Sequence, residues 1–254
     1  MSRARDVREC KENGIIWGQA SENPDLSIVI PVWNNWYLTK ACLQDLYLKG
    51  DFEIILVDNG STDETKNYGH TEKIGRVQVI RNKENLGFAK ACNQGFAASR
   101  GKVVMFLNND IKVVRNKALW TVPIIEACNE GCIVGPTVGV LKKDLSFVKE
   151  AEKKPSGGHY YMSGWNISAK REVWKKLILE GEEGPFTTEF TTYFEDTDLG
   201  LRAQELGIPT KIVSVPVRHL GKRTSKLLGV NTLYVAAKEK FMNKWGGGRA
   251  DKLL

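Results

Sequence analysis

Three short apolar runs in this chain end abruptly in residues that could hold a charged ligand. Val103–Leu107 runs straight into Asn108, Asn109 and Asp110, Leu26–Pro31 into Val32, Trp33 and Asn34, and Phe52–Val57 into Asp58 and Asn59. A carboxylate beside amide oxygens is a set of hard donors suited to a divalent cation, which in turn binds phosphate oxygens. A second cluster, Glu195, Asp196 and Asp198, places three acids within four residues at the head of a helical pattern. That exceeds what N-terminal capping requires, and a carboxylate there can take a proton from a reacting hydroxyl. Asn85 and Gly87 open another helical stretch with Phe88, and Lys90 lies in its first turns, where the helix end favours anions. For Phe88, packing is the better reading.

The elements that must position these groups follow from periodicity. Leu26–Pro31, Phe52–Val57, Val77–Ile80 and Val103–Leu107 are short, largely β-branched runs that read as buried strands. Leu38, Cys42 and Leu46 share one helical face, as do Phe88, Ala91, Cys92, Gly95 and Phe96. Strands alternating with helices imply an α/β fold with a parallel sheet, and ligands of such sheets sit beyond the carboxyl ends of the strands. The polar residues after the first, second and fourth strands therefore share one rim. Asp58–Asp63 has turn chemistry, with Ser61 or Thr62 able to cap the next helix, so Asp58 serves as well for a turn with Gly60 as for binding.

The second half is less regular. The pattern predicts a helix over 118–128 interrupted or kinked at Pro123, a strand at Ile133 and Val134, and a variable charged loop over 141–158. It predicts one strand over 160–168, helices over 171–179 and 196–206, and a last amphipathic helix with Tyr234, Ala237, Phe241 and Trp245 on one face.

With 254 residues, 42% hydrophobic and 26% charged, the chain can bury a full core, so disorder is not expected. The five cysteines are odd in number and show no paired or zinc-finger spacing, which fits reduced thiols in a cytoplasmic protein. No signal-type or membrane-spanning apolar run occurs. The net charge of +7 is local: from Lys211 onward ten Lys/Arg face two Asp/Glu. That tail could meet a diphosphate, an anionic acceptor or a membrane surface, or be a solvated face. Arginine and aromatic residues do not alternate as in single-strand nucleic-acid binders, so no nucleic-acid partner is expected.

In this order the motifs resemble a family 2 glycosyltransferase with the GT-A fold, a Rossmann-like, mostly parallel sheet flanked by helices. The resemblance runs from about Leu26 to His219 and rests on the segments 30–34, 57–63, 85–95, 106–110 and 194–202 with His219. The Asn-Leu-Gly-Phe and Glu-Asp-x-Asp versions are most similar to the rhamnosyltransferase-like and galactofuranosyltransferase-like branch. It implies inverting transfer of a hexose or deoxyhexose from a nucleoside-diphosphate sugar (UDP-, dTDP- or GDP-linked) to a hydroxyl of a glycan or glycolipid. A divalent metal, Mn2+ or Mg2+, would assist. It makes Asp196 the base and Glu195 its neighbour that positions the acceptor. Asp110 stands in the family's Asp-x-Asp motif, here Asn108-Asn109-Asp110, and His219 completes the metal shell. Asp58 with Asn59 reads base or ribose, Pro31, Val32 and Asn34 line the base pocket, and Gly164 and Trp165 meet donor sugar and acceptor. Arg218, Lys222, Arg223 and Ser225 would lie near the leaving diphosphate. It implies an N-terminal extension over 1–25, a catalytic domain over 26–225 (nucleotide-binding half 26–110, acceptor-binding half 111–225) and a basic C-terminal helix over 226–254. The alternatives are a sugar-nucleotide-binding module without catalysis and, less well supported for want of a Gly-rich phosphate loop, a nucleotidyltransferase.

Overall fold

The computed structural model describes residues 19–46, 48–68, 76–221 and 230–253. Strands β1 (Leu26–Val32), β2 (Phe52–Asp58), β3 (Val77–Arg81) and β4 (Val103–Leu107) lie parallel in the order β3-β2-β1-β4. β1, β2 and β4 are covered on both faces, which is why they read as continuous apolar runs without alternation. Helix α1 (Trp36–Asp45) buries Cys42 and Leu43 against Ile28 and Ile30 on one face. Helix α2 (Phe88–Ala98) buries Ala91, Cys92 and Phe96 against Val29, Ile55 and Val57 on the other. Two cores thus sandwich the sheet, and the rim where β1, β2 and β4 end is the expected one.

Beyond β4 the sheet continues with β10 (Asn166–Lys170), antiparallel to it, then β6 (Ile133–Gly135) and β11 (Thr210–Ile212). Two smaller sheets build the site. In one, β5 (Ile111–Val113) pairs with β12 (Val217–His219) in antiparallel register, His219 opposite Ile111. In the other, β7 (Val138–Leu141) lies between β8 (Phe147–Ala151) and β9 (Tyr160–Met162). Short helices α3 (Val122–Cys128) and α4 (Arg171–Lys175) cover the main sheet, while α5 (Glu195–Glu205) packs on β9.

Several expectations are corrected. The charged stretch over 141–158 contains strand β8: it pairs only with β7, so four of its five side chains face solvent and no apolar pattern marks it. The single strand over 160–168 is two, β9 and β10, joined by a turn at Ser163, Gly164 and Trp165. Pro123 sits in the first turn of α3, where its missing N–H costs nothing, so it starts the helix and does not kink it. After β2 comes only a 3-10 turn over Glu64–Asn67, capped by Asp63 through the Thr65 amide at 3.0 Å. The fourth helix stops after one turn, at Lys175.

The last helix, α6 (Val230–Trp245), buries Ala237, Phe241 and Trp245 as its pattern requires, whereas Tyr234 is largely exposed. It docks on α5 through one buried carboxylate. Asp198 accepts from Arg202 Nε at 2.7 Å, Trp245 Nε1 at 2.9 Å and Lys244 Nζ at 2.7 Å. The pairing of Asp198 with Arg202 at i+4 matches the sequence reading; its bonds to α6 do not follow from spacing. Among the described residues no helix is long and apolar enough to cross a membrane. Cys42, Cys92, Cys128 and Cys132 are buried free thiols.

Candidate active site

A cavity of about 380 Å³ opens beyond the carboxyl ends of β1, β2 and β4. Its wall takes Pro31, Val32 and Trp33 from the first strand end, Asn59 from the second, and Asn108, Asn109 and Asp110 from the fourth. Gly164, Trp165, Glu195, Asp196 and His219 complete the lining.

Asp110 ends the β4 turn and is held from behind. The Asp45 carboxylate on α1 accepts from the Val113 amide at 2.9 Å and from Lys117 at 2.5 Å, fixing β5 against α1. The β5–β12 ladder then delivers His219, whose Nε2 lies 3.0 Å from Asp110 Oδ1. Asn108 Nδ2 lies 3.3 Å from the same nitrogen. Trp165 stacks on the imidazole with ring centroids 5.2 Å apart and planes at 7°, which orients it. A carboxylate oxygen and an imidazole nitrogen are both suitable ligands, so Asp110 and His219 would hold a divalent ion here. Among the described residues no third His, Cys, Asp or Glu joins them. The remaining positions would fall to ligand oxygens and water, as is usual for ions that bridge phosphates.

Glu195 and Asp196 open α5 directly after Tyr193 and Phe194, both in the left-handed region with φ of 69° and 67°. Such backbone is uncommon for aromatic residues and is held here by packing, Phe194 stacking on Phe241 of α6 at 4.8 Å. Asp196 Oδ2 accepts the Gly164 amide at 3.0 Å and Oδ1 the Thr197 amide at 2.7 Å. A Cβ at position 164 would lie 2.9 Å from the Asp196 Cβ, so only glycine lets the two loops approach. Glu195 Oε2 is buried without a hydrogen-bond partner. Burial raises both carboxyls: Glu195 is pushed up to about 8 by burial and by Asp196, and Asp196 is raised by burial against the hydrogen bonds from the Gly164 and Thr197 amides that favour its charge.

The sequence matches the family model for glycosyl transferase family 2 over residues 27–174, more than half of the chain. The chain belongs to glycosyltransferase family 2. It is 35% identical over 91 residues to the PGL/p-HBAD biosynthesis glycosyltransferase of Mycobacterium bovis, covering 34% of this chain and 36% of that one. EpsH of Bacillus subtilis, which bears a glycosyltransferase name, is 30% identical over 215 residues, 78% of this chain and 61% of its own. The chain thus spans between about a third and three fifths of those two relatives. The fold is GT-A, as in GalNAc-T7 with UDP, GalNAc and Mn2+ (TM-score 0.59, 18% identity, 85% of this chain and 48% of that one). A mannosyltransferase of Pyrobaculum calidifontis in complex with GDP-Man and Mn2+ is also similar (TM-score 0.56, 15% identity, 93% and 76%).

Not every expected residue faces the cavity. Asn34 does not: its Oδ1 accepts the Thr62 and Asp63 amides at 2.8 and 3.3 Å, and its own amide binds Ser61 Oγ at 2.8 Å. It staples the first two strand-end loops together. Asp58, 1% exposed, gives its oxygens to Arg81 and to the Ser61 amide at 2.9 Å, so a base could reach it only by sharing. Asn59 is also a builder, donating to Asn85 Oδ1 at 2.8 Å and to the Gly87 carbonyl at 3.1 Å. Gly87 packs on the Thr191 carbonyl, which takes the Phe88 amide at 2.8 Å. Lys90 is exposed and away from the wall, because it lies on the solvent side of α2. Arg218 is also exposed, and Lys222, Arg223 and Ser225 lie outside the described residues.

Phe147, Glu150, Tyr161, Ser163, Thr192 and Tyr193 line the cavity and were not expected. Glu150 Oε1 accepts Trp165 Nε1 at 2.6 Å, and Trp165 also donates to Thr137 Oγ1 at 2.9 Å. The one sequence signal for them was the aromatic clustering of Tyr160, Tyr161 and Tyr193, Phe194.

Proposed function

We propose that this family 2 enzyme is an inverting glycosyltransferase that moves a hexose or deoxyhexose from a nucleoside-diphosphate sugar to a hydroxyl of a glycan or glycolipid. The observation that carries the reading is that the Asp110–His219 pair and the Glu195–Asp196 pair line one cavity. The strand-end residues Pro31, Val32, Asn59, Asn85, Asn108 and Asn109 form the donor side, with Asp58 and Arg81 behind it. Asp110 and His219 would hold Mn2+ or Mg2+, which supplies charge to offset the departing diphosphate.

Asp196 takes the acceptor proton as the acceptor oxygen bonds to the anomeric carbon and the bond to the diphosphate oxygen breaks. Burial raises its affinity for protons, which suits that task. Glu195, protonated, donates to the acceptor, and Gly164 keeps Asp196 aimed. The motif versions support the rhamnosyltransferase-like and galactofuranosyltransferase-like branch. We assign 1–25 to an N-terminal extension, 26–225 to the catalytic domain and 226–254 to a basic C-terminal segment that contains α6, whose exposed Lys238 and Lys240 suit an anionic surface such as a membrane.

A thermal-shift screen of UDP-, dTDP- and GDP-sugars with and without manganese tests the donor side, since a ligand of the folded state raises Tm. One nucleotide should raise Tm by several degrees, more with manganese, and release of its free nucleoside diphosphate should follow. If none of the three shifts Tm, the donor assignment is wrong.

A further inference from the structure

The acceptor side of the cavity carries a charge pattern and an aromatic wall that the family reading leaves unassigned. Both come from the small β7–β8–β9 sheet. β8 pairs Glu150 with Gly139 and Lys149 with Val140, but Phe147, not Val148, with Leu141, so the register shifts and Val148 is an extra residue. In a regular strand, side chains three positions apart point to opposite faces. The bulge removes that parity, so Phe147 and Glu150 both reach the cavity. On the other side of β7, Tyr161 of β9 pairs with Gly139. A Cβ on Gly139 would lie 2.3 Å from the Tyr161 ring, so the missing side chain lets the phenol lie across β7 beside Glu150.

The result is a shallow trough with Phe147, Tyr161 and Tyr193 as apolar faces and Glu150, Glu195 and Asp196 as acids. Among the described residues no lysine or arginine lines the cavity. Aromatic faces receive the C–H face of a sugar ring, and carboxylates receive its hydroxyls. Phe147 is 56% exposed, so its ring is open to a ligand. Of the three acids, Glu150 is the exposed one, tied by one oxygen to Trp165.

Resting on the proposed transferase reading, we propose that the Phe147–Glu150 trough is the acceptor subsite, that it takes a sugar ring bearing no carboxylate or phosphate, and that Glu150 is its selectivity residue. An anionic ring would meet the Glu150 and Asp196 carboxylates with no lysine or arginine among the described lining residues to offset it, and should bind about tenfold more weakly than its neutral counterpart. A neutral ring meets hydroxyl acceptors instead.

The test uses matched probes on the full chain. Saturation-transfer NMR is run with p-nitrophenyl glucoside, galactoside, mannoside and rhamnoside and with the glucuronide and galacturonide. Each is measured with manganese and whichever of UDP, dTDP or GDP raises Tm. At least one neutral glycoside should bind, and its uronide should bind at least about tenfold more weakly. Glu150→Gln, which can still accept from Trp165, should bring the ratio to within about threefold, and Glu150→Lys should invert it. Phe147→Ala should weaken the neutral glycosides without changing the ratio. Equal binding of glucoside and glucuronide by the wild type, binding of no neutral probe, or a ratio unmoved in Glu150→Gln each overturns the proposal. Loss of the nucleotide shift itself would instead strike the donor reading, so the two failures are separate.

Discussion

Asp110 and Asp196 face the same cavity, yet they are held in opposite ways. Asp110 lies at a strand end beside an imidazole, with Asn108 and a stacked tryptophan fixing that ring. Asp196 opens a helix, accepts from the Gly164 and Thr197 amides and the Thr197 hydroxyl, lies beside a second acid, and has burial pushing its proton affinity up. The two carboxylates thus line one cavity in different surroundings, one against an imidazole and one against backbone amides and a second acid.

The sharpest way to break this contrast is at Asp196. Asp196→Asn keeps shape and removes the base, so transfer should fall on the order of a thousandfold while the nucleotide-induced Tm shift persists. Wild-type turnover in that variant would move the base elsewhere. Asp110→Ala should do the reverse: the manganese-dependent part of the Tm shift disappears, and turnover drops about a hundredfold, roughly 3 kcal/mol of transition-state stabilisation. His219→Ala should lose the same manganese increment; retention of it would exclude the histidine from the metal seat.

The contrast also has a stability face. Asp198→Ala leaves Arg202 buried without its carboxylate and frees Trp245 and Lys244, at a cost of about 3 kcal/mol, or roughly 10 °C in Tm by calorimetry. A drop below about 2 °C would show that α6 docks without this acid. Glu195→Gln is smaller and depends on pH. The folded value near 8 exceeds the ordinary 4.5, so the folded state binds the extra proton and wild-type stability from this group falls as pH rises from 4.5 to 8. The variant should match wild type near pH 4.5 and gain on it in Tm progressively as pH rises towards 8. A pH-independent gap would place the proton on another group.

Legibility followed burial. β1, β2 and β4 could be read because both faces of each are covered, and their shared rim followed from parallel topology. The partnership of Asp110 with His219 spans about a hundred residues, and no local pattern encodes a β5–β12 ladder of three residues; only family resemblance pointed there. Asn34 misled because a residue just past a strand end can equally face a ligand or pin its neighbouring loop, and its φ of 57° belongs to the pin. Glu150 was invisible, since an exposed edge strand with a bulge looks like a charged loop.

Deleting a residue from a strand ordinarily turns every later side chain to the wrong face. β8 is arranged so that the opposite holds at Val148. Without that residue the strand would pair regularly with β7, and Phe147 and Glu150 would become next-but-one neighbours still pointing the same way. The trough can thus shed a residue and keep its contents, whereas a residue gained between Phe147 and Glu150 has no such refuge.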